Sequence, residues 1–206
     1  MTLMHLPTLV TLCDFVATFA FALVGSRVAA AREMDFGGIA MVAAVSSISG
    51  GTLRNLFLLH QPPWIINPWL LLPVLLGFIF TIILRKVEPV GRFLLALDTF
   101  GLAVATVSST AFALAQNVNP VIAVILGLIG GIAGGLLRDL LAQVPPVVLH
   151  RETVGTSCLL GATMMVLLRE LHVKNIIAVL IGGAVVIIFR ELSIYFEWNL
   201  PKVARD

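Results

Sequence analysis

Charge is what this sequence has least of. Only 12% of its 206 residues are Asp, Glu, Lys or Arg, against 59% hydrophobic. Soluble domains rarely depart so far from average composition, so a water-soluble globular class is excluded. The net charge is only +2 and the basic residues are scattered, which excludes a nucleic-acid partner. Cysteine is nearly missing: Cys13 and Cys158 lie far apart in apolar segments. No metal-ligand spacing exists, and packing is their expected role. Nucleophile–base pairs are missing too, and "GGIAGG" at 130–135 has no Lys-Ser/Thr after it to hold a phosphate. Neither an enzyme nor a cofactor is expected. The basic n-region and cleavage site of a leader are lacking, so the first apolar run is expected to stay as a span. His5, His60, His150 and His172 all fall in loops or at span ends, which excludes a proton relay. No span carries a regular series of basic residues, which excludes a voltage sensor.

What is present is apolar sequence in membrane-length runs. Seven spans are predicted, at about 8–27, 37–59, 66–84, 92–115, 120–142, 153–168 and 175–196. Each is close to the roughly 20 residues a crossing helix needs, the sixth being short. The breaks carry turn chemistry, as in "HQPPWIINP" and "QNVNP". The expected class is an all-α membrane protein forming one membrane domain over 1–206. An odd number of spans puts the termini on opposite sides. One side then holds Arg27, Arg32, Arg85, Lys86, Arg92, Arg151, Lys202 and Arg205, and the other only Arg169 and Lys174. The positive-inside rule places the N-terminus outside and the C-terminus in the cytoplasm. Trp64 and Trp69 fit an outer aromatic belt, Tyr195 and Trp198 an inner one.

An internal repeat underlies the spans. "GGTLRNL" at 50–56 matches "GGLLRDL" at 134–140 in five of seven positions, at an offset of 84. The same offset carries Asp14 onto Asp98. Residues 8–84 are read as the first copy, 92–168 as the second, and 175–196 as an added seventh helix. Three spans per copy is an odd number, so the second copy enters the membrane upside down. Such inverted repeats often build a permeation path between the copies.

The glycine pairs admit two uses. Small residues let membrane helices approach closely, and this is the reading kept for Gly182-Gly183. At Gly50-Gly51 and Gly134-Gly135 a break is the sharper expectation, freeing backbone carbonyls as ligands for K⁺ or Na⁺. The charges favour a watery seam, since ionisable residues at membrane depth usually face a bundle interior or cavity. Rise per residue puts Asp14 and Arg54 both roughly 8–9 Å below one surface. Inversion puts Asp98 and Arg138 at a similar depth from the other. Two charge layers are predicted, Asp14 with Arg54 and Asp98 with Arg138, with the glycine pairs between. They are either structural ion pairs, or gates, or both. Asn55 stands where Asp139 does. Three roles are open to Asp139: pairing with Arg138, holding a cation, or switching between the two. Ser46, Ser49 and Thr52 flank the first glycine pair as candidate polar lining, or bond their own helix. Arg190-Glu191, near the end of the seventh span, is expected to snorkel.

These residues resemble the prokaryotic branch of the trimeric intracellular cation channels, TRIC. The resemblance rests on seven spans, a 3+3 inverted repeat and the paired "GG-x-x-R-[ND]" motifs, and covers nearly the whole chain. It implies a homotrimer in a prokaryotic inner membrane, with self and membrane lipids as partners. It also implies one K⁺/Na⁺ pore per protomer between the second and fifth helices, broken at Gly50, Gly51, Gly134 and Gly135 and lined by Arg54, Arg138 and Asp139. Domains of this kind also carry the name "glycine transporter", so a small-solute carrier is the alternative, with a purely structural membrane protein third.

Overall fold

The computed structural model describes residues 5–84, 91–146 and 153–198. Eight α-helices are found among the described residues, and the seven long ones are labelled here. They are α1 (His5–Ala31), α2 (Phe36–Phe57), α3 (Leu71–Leu84), α4 (Arg92–Ala115), α5 (Pro120–Leu141), α6 (Thr153–Glu170) and α7 (Asn175–Tyr195). A short helix at Pro63–Ile66 and a 3₁₀ turn at Pro68–Leu70 fill the α2–α3 connection, so the third span, expected from residue 66, is corrected to begin at Leu71. Five helices, α1, α2, α4, α5 and α7, are long and apolar enough to cross a membrane. The other two fall short for different reasons. α3 has only 14 residues, and α6 spends part of its length on hydroxyls and glycines that it buries.

The burial pattern is that of a protein in lipid. The interior is made of small residues such as Ala22, Ala43, Ala123 and Ala162, while Leu180, Ile83, Leu75 and Ile188 face outward. Helices associate in hydrocarbon by close approach of small residues rather than by hiding large apolar ones. Buried hydroxyls turn back onto their own helices: Ser26 donates to the Ala22 carbonyl at 2.7 Å and Thr106 to that of Leu102 at 2.8 Å. α1, α2, α4 and α5 pack around one another, α3 closes against α1, and α6 and α7 pack together against α4.

The 84-residue offset of the motifs recurs in the helix ends. α2 and α5 begin at Phe36 and Pro120 and end at Phe57 and Leu141, 84 residues apart at both ends. Their N-caps follow suit: Asp35 accepts from the Gly38 N–H and Asn119 from that of Val121. Each helix is then stopped by a non-glycine residue in the left-handed region, Leu59 (φ 57°) after α2 and Gln143 (φ 52°) after α5. The next N–H folds back each time, His60 to the Asn55 carbonyl and Val144 to that of Asp139, as in a Schellman-type stop. Glu33 and Asn117, both at φ 57°, follow α1 and α4 in the same left-handed region, and after Glu33 the Met34 N–H folds back to the Ala29 carbonyl.

Candidate functional site: two arginine layers flanking a helix crossing

The first layer joins α1, α2 and α4. Arg54 is 1% exposed, and a bare guanidinium at that depth is costly. Here it is fully engaged. Nη1 and Nη2 hold the two oxygens of Asp14 at 3.1 and 3.0 Å, the planar fork matching the carboxylate. Nε donates to Asn55 Oδ1 at 2.9 Å, and the guanidinium lies 4.4 Å from the Phe112 ring centre. Ser108 donates to Asp14 Oδ1 at 2.5 Å, and Asn55 in turn donates to the Gln61 carbonyl at 2.7 Å.

The second layer repeats this plan. Arg138 Nη1 donates to Asp98, and Nε donates to Asp139 Oδ1 at 2.9 Å, as Arg54 does to Asn55. One amide has become a carboxylate. The Arg54–Asp14 pair is formally neutral, whereas Arg138, Asp98 and Asp139 taken by themselves sum to one negative charge.

Between the layers α2 crosses α5. A methyl group on Gly50 would strike the carbonyl oxygen of Gly130, and one on Gly134 would strike that of Ser46. The contact is reciprocal, since Ser46 and Gly130 are related by the same 84-residue offset as Gly50 and Gly134. The expected breaks are corrected here. Both helices continue through their glycine pairs, and no glycine among the described residues has positive φ. The missing side chains let two intact backbones touch, so no carbonyl at Gly50 or Gly134 is freed to hold a cation. Gly51 and Gly135 lie off the contact: the nearest atoms to an added methyl are Pro63 Cγ at 3.2 Å and Arg138 Nη2 at 3.7 Å.

Water-sized space reaches the crossing from the Asp14 side. A vestibule of about 270 Å³ is lined by Asp14, Arg54, Asn55, Asn67, Phe112 and Gln116. Below it a cavity of about 30 Å³ is lined by Asp14, Thr18, Ser47, Gly50, Gly51 and Ser109, room for one or two waters. Of the hydroxyls expected to line a path, none faces this cavity. Ser46 donates to the Phe21 carbonyl at 3.0 Å, Ser49 Oγ is buried without a hydrogen-bond partner among the described residues, and Thr52 bonds Ile48 and Trp64. Ser47 takes their place. It stands four residues before Gly51 and seven before Arg54, one helical face, and that spacing was the available signal. Thr18, four residues after Asp14, had the same signal; Ser109 had none. Arg190 is also corrected. It does not snorkel but is 2% exposed and donates to Thr153 Oγ1 at 3.3 Å, because α7 turns this face onto α6.

Comparison with known proteins agrees with this duplicated architecture. The family model described as "Glycine transporter" matches residues 11–86 and again 95–170, so the second match starts and ends 84 residues after the first. The UPF0126 inner membrane protein YadS of Escherichia coli K12 is 32% identical over 197 residues, covering 94% of this chain and 95% of that protein. A UPF0126 membrane protein of Vibrio cholerae is 30% identical over 200 residues, covering 96% and 84%. Among solved structures, the TRIC trimeric intracellular cation channel orthologue from Rhodobacter sphaeroides superposes with a TM-score of 0.87 at 33% identity, covering 93% of this chain and 100% of that one. A second structure, from work on conductance through TRIC cation channels, gives 0.84 at 27% identity and covers 95% and 98%. On sequence, fold and duplication together, the chain is a membrane protein of the prokaryotic TRIC family, the family described as "Glycine transporter".

Proposed function

We propose that the chain is a monovalent cation channel for K⁺ and Na⁺, a homotrimer with one path in each protomer between α2 and α5. The observation that carries this reading is the pairing of two arginine–carboxylate layers on either side of a reciprocal glycine crossing, with a watery cavity leading to it. Solved relatives described as trimeric cation channels support both the activity and the assembly. A reciprocal contact fits a local two-fold axis. With three spans in each copy, that axis relates halves of opposite orientation, the arrangement that places a path at their interface. The N-terminus is then outside and the C-terminus cytoplasmic.

The ions follow Thr18, Ser47 and Ser109 to the crossing. There they meet Gly50, Gly51, Gly134 and Gly135, and beyond it Arg138 and Asp139. Each arginine is neutralised locally, so it does not repel cations as an isolated charge would. The conformation described here is interrupted where α2 touches α5, and conduction requires those helices to separate. The ligands during passage are hydroxyls, carboxylates and water rather than carbonyls of broken helices.

The test is purified protein in a planar bilayer under a KCl gradient. Stepwise currents reversing near the potassium equilibrium potential are expected. Saturable glycine uptake without current steps would overturn the reading in favour of a carrier. A sharper prediction concerns the excess carboxylate. Asp139→Asn makes the second layer resemble the first and keeps Arg138 paired with Asp98. A unit charge at 4 Å in water is worth about 1 kcal/mol, so the K⁺-over-Cl⁻ permeability ratio should fall about fivefold. The reversal potential reads this directly.

A further inference from the structure

We propose that a groove outside the ion path binds one phospholipid with an anionic, hydroxyl-bearing headgroup, of the phosphatidylglycerol type. The groove has a volume of about 1000 Å³ and lies where the start of α1, the ends of α4 and α6 and the start of α7 meet. It shares a side of the molecule with the Asp14 layer but opens on the other face of α1: Leu9 and Leu12 line it, while Val10, Thr11 and Asp14 line the vestibule. The inference rests on the membrane location and not on the channel reading.

Three features select the occupant. The walls are apolar, with Leu12, Met165 and Ile176, and so suit an acyl chain. The rim carries the cations Arg169 and Lys174 with His172 beside them, and no carboxylate lines it among the described residues. Arg169 spends one N–H on the Val173 carbonyl at 3.0 Å, which leaves the rest of its five donors. Lys174 is exposed and stands at the N-cap of α7, which no side chain caps, so the positive end of that helix faces the same rim. Finally, Asn175 lines the groove, and its Oδ1 is turned away from it, buried without a hydrogen-bond partner among the described residues. A buried acceptor lacking a donor is unfavourable, and rotation of the amide toward the groove would let a glycerol hydroxyl beside a phosphate supply one. The topology points the same way. Arg169 and Lys174 are the only lysine or arginine residues that the seven-span reading assigns to this side outside the spans. Positive charge is disfavoured on that side, and both residues stand at one groove.

Native mass spectrometry of the full chain, delipidated and then titrated with dioleoyl phosphatidylglycerol or dioleoyl phosphatidylcholine, tests this. Phosphatidylglycerol adducts should form at lower concentration, by about fivefold for each basic side chain engaged. Arg169→Gln/Lys174→Gln should abolish the difference. His172→Gln/Lys174→Gln, which keeps the Arg169–Val173 bond, should reduce it. Asn175→Ala should weaken phosphatidylglycerol while leaving phosphatidylmethanol, an anionic diester with no headgroup hydroxyl, unchanged. Arg92→Gln, at the start of α4, should change nothing. Equal binding of the two lipids, or a preference that survives both charge variants, would overturn the proposal. So would efficient cross-linking of Leu12→Cys between protomers, which would show the groove filled by a second copy.

Discussion

Arg138→Ala is expected to have the largest effect of any single substitution in the chain. It strips the arginine that pairs with both Asp98 and Asp139, the latter with a side chain 4% exposed. Removing one partner of a buried ion pair typically costs about 3–5 kcal/mol, because the other charge is left uncompensated. Arg54→Ala should cost less, since Asp14 keeps the Ser108 hydroxyl at 2.5 Å and only one carboxylate is stranded. Thermal unfolding in detergent, followed by tryptophan fluorescence, should rank Arg138→Ala below Arg54→Ala. Adding Asp139→Asn to Arg138→Ala should recover part of the loss. Where the variant reaches a bilayer, its open probability or ion selectivity should differ from that of the parent. Reduced yield with unaltered currents would make the layer a structural pin and nothing more.

The second large effect is at the crossing. Gly50→Ala puts a methyl group against the Gly130 carbonyl oxygen, and Gly134→Ala against that of Ser46. Neither obstacle is a side chain that can rotate away, so the helices must part, at the ~1–3 kcal/mol typical of overpacking. The reciprocal geometry predicts that the two substitutions act alike. Gly135→Ala should be mild, because its nearest neighbour is the flexible end of Arg138 at 3.7 Å. Within the second pair, then, one glycine is sensitive and its neighbour is not. If ions take the proposed path, closed where α2 touches α5, Gly50→Ala and Gly134→Ala should also lengthen channel openings. Equal behaviour of Gly134→Ala and Gly135→Ala would mean that both glycines serve a break, as the sequence first suggested.

The sequence carried the large features of this site because they are written twice. The shared offset tied Arg54 to Arg138 and Asp14 to Asp98, and helical rise then put each arginine at the depth of its aspartate. What it could not carry was which way a face turns. Ser46 and Ser47 are neighbours in the chain. The packing of α2 against α1 and α5 sends the first to the Phe21 carbonyl and the second to the cavity. The glycine pairs were ambiguous for a related reason: close packing and helix breaking need the same missing side chain. Arg190 was misread because its distance from the helix end says nothing about whether α6 covers it. The left-handed stops at Glu33, Leu59 and Gln143 also lack a glycine to announce them, and tertiary packing must hold them against roughly 1–3 kcal/mol of backbone strain.

The claim on which the account stands is that ions pass along the seam between α2 and α5. It is tested most directly by thiol block in single-channel recording. With Cys13 and Cys158 replaced by alanine, Ser47→Cys puts one thiol in the cavity and Leu180→Cys puts one on an outward face that is 64% exposed. A positively charged methanethiosulfonate reagent, added while channels are open, should stop current through the Ser47→Cys channel and spare the Leu180→Cys one. Full conductance through a labelled Ser47→Cys channel would place the path somewhere else.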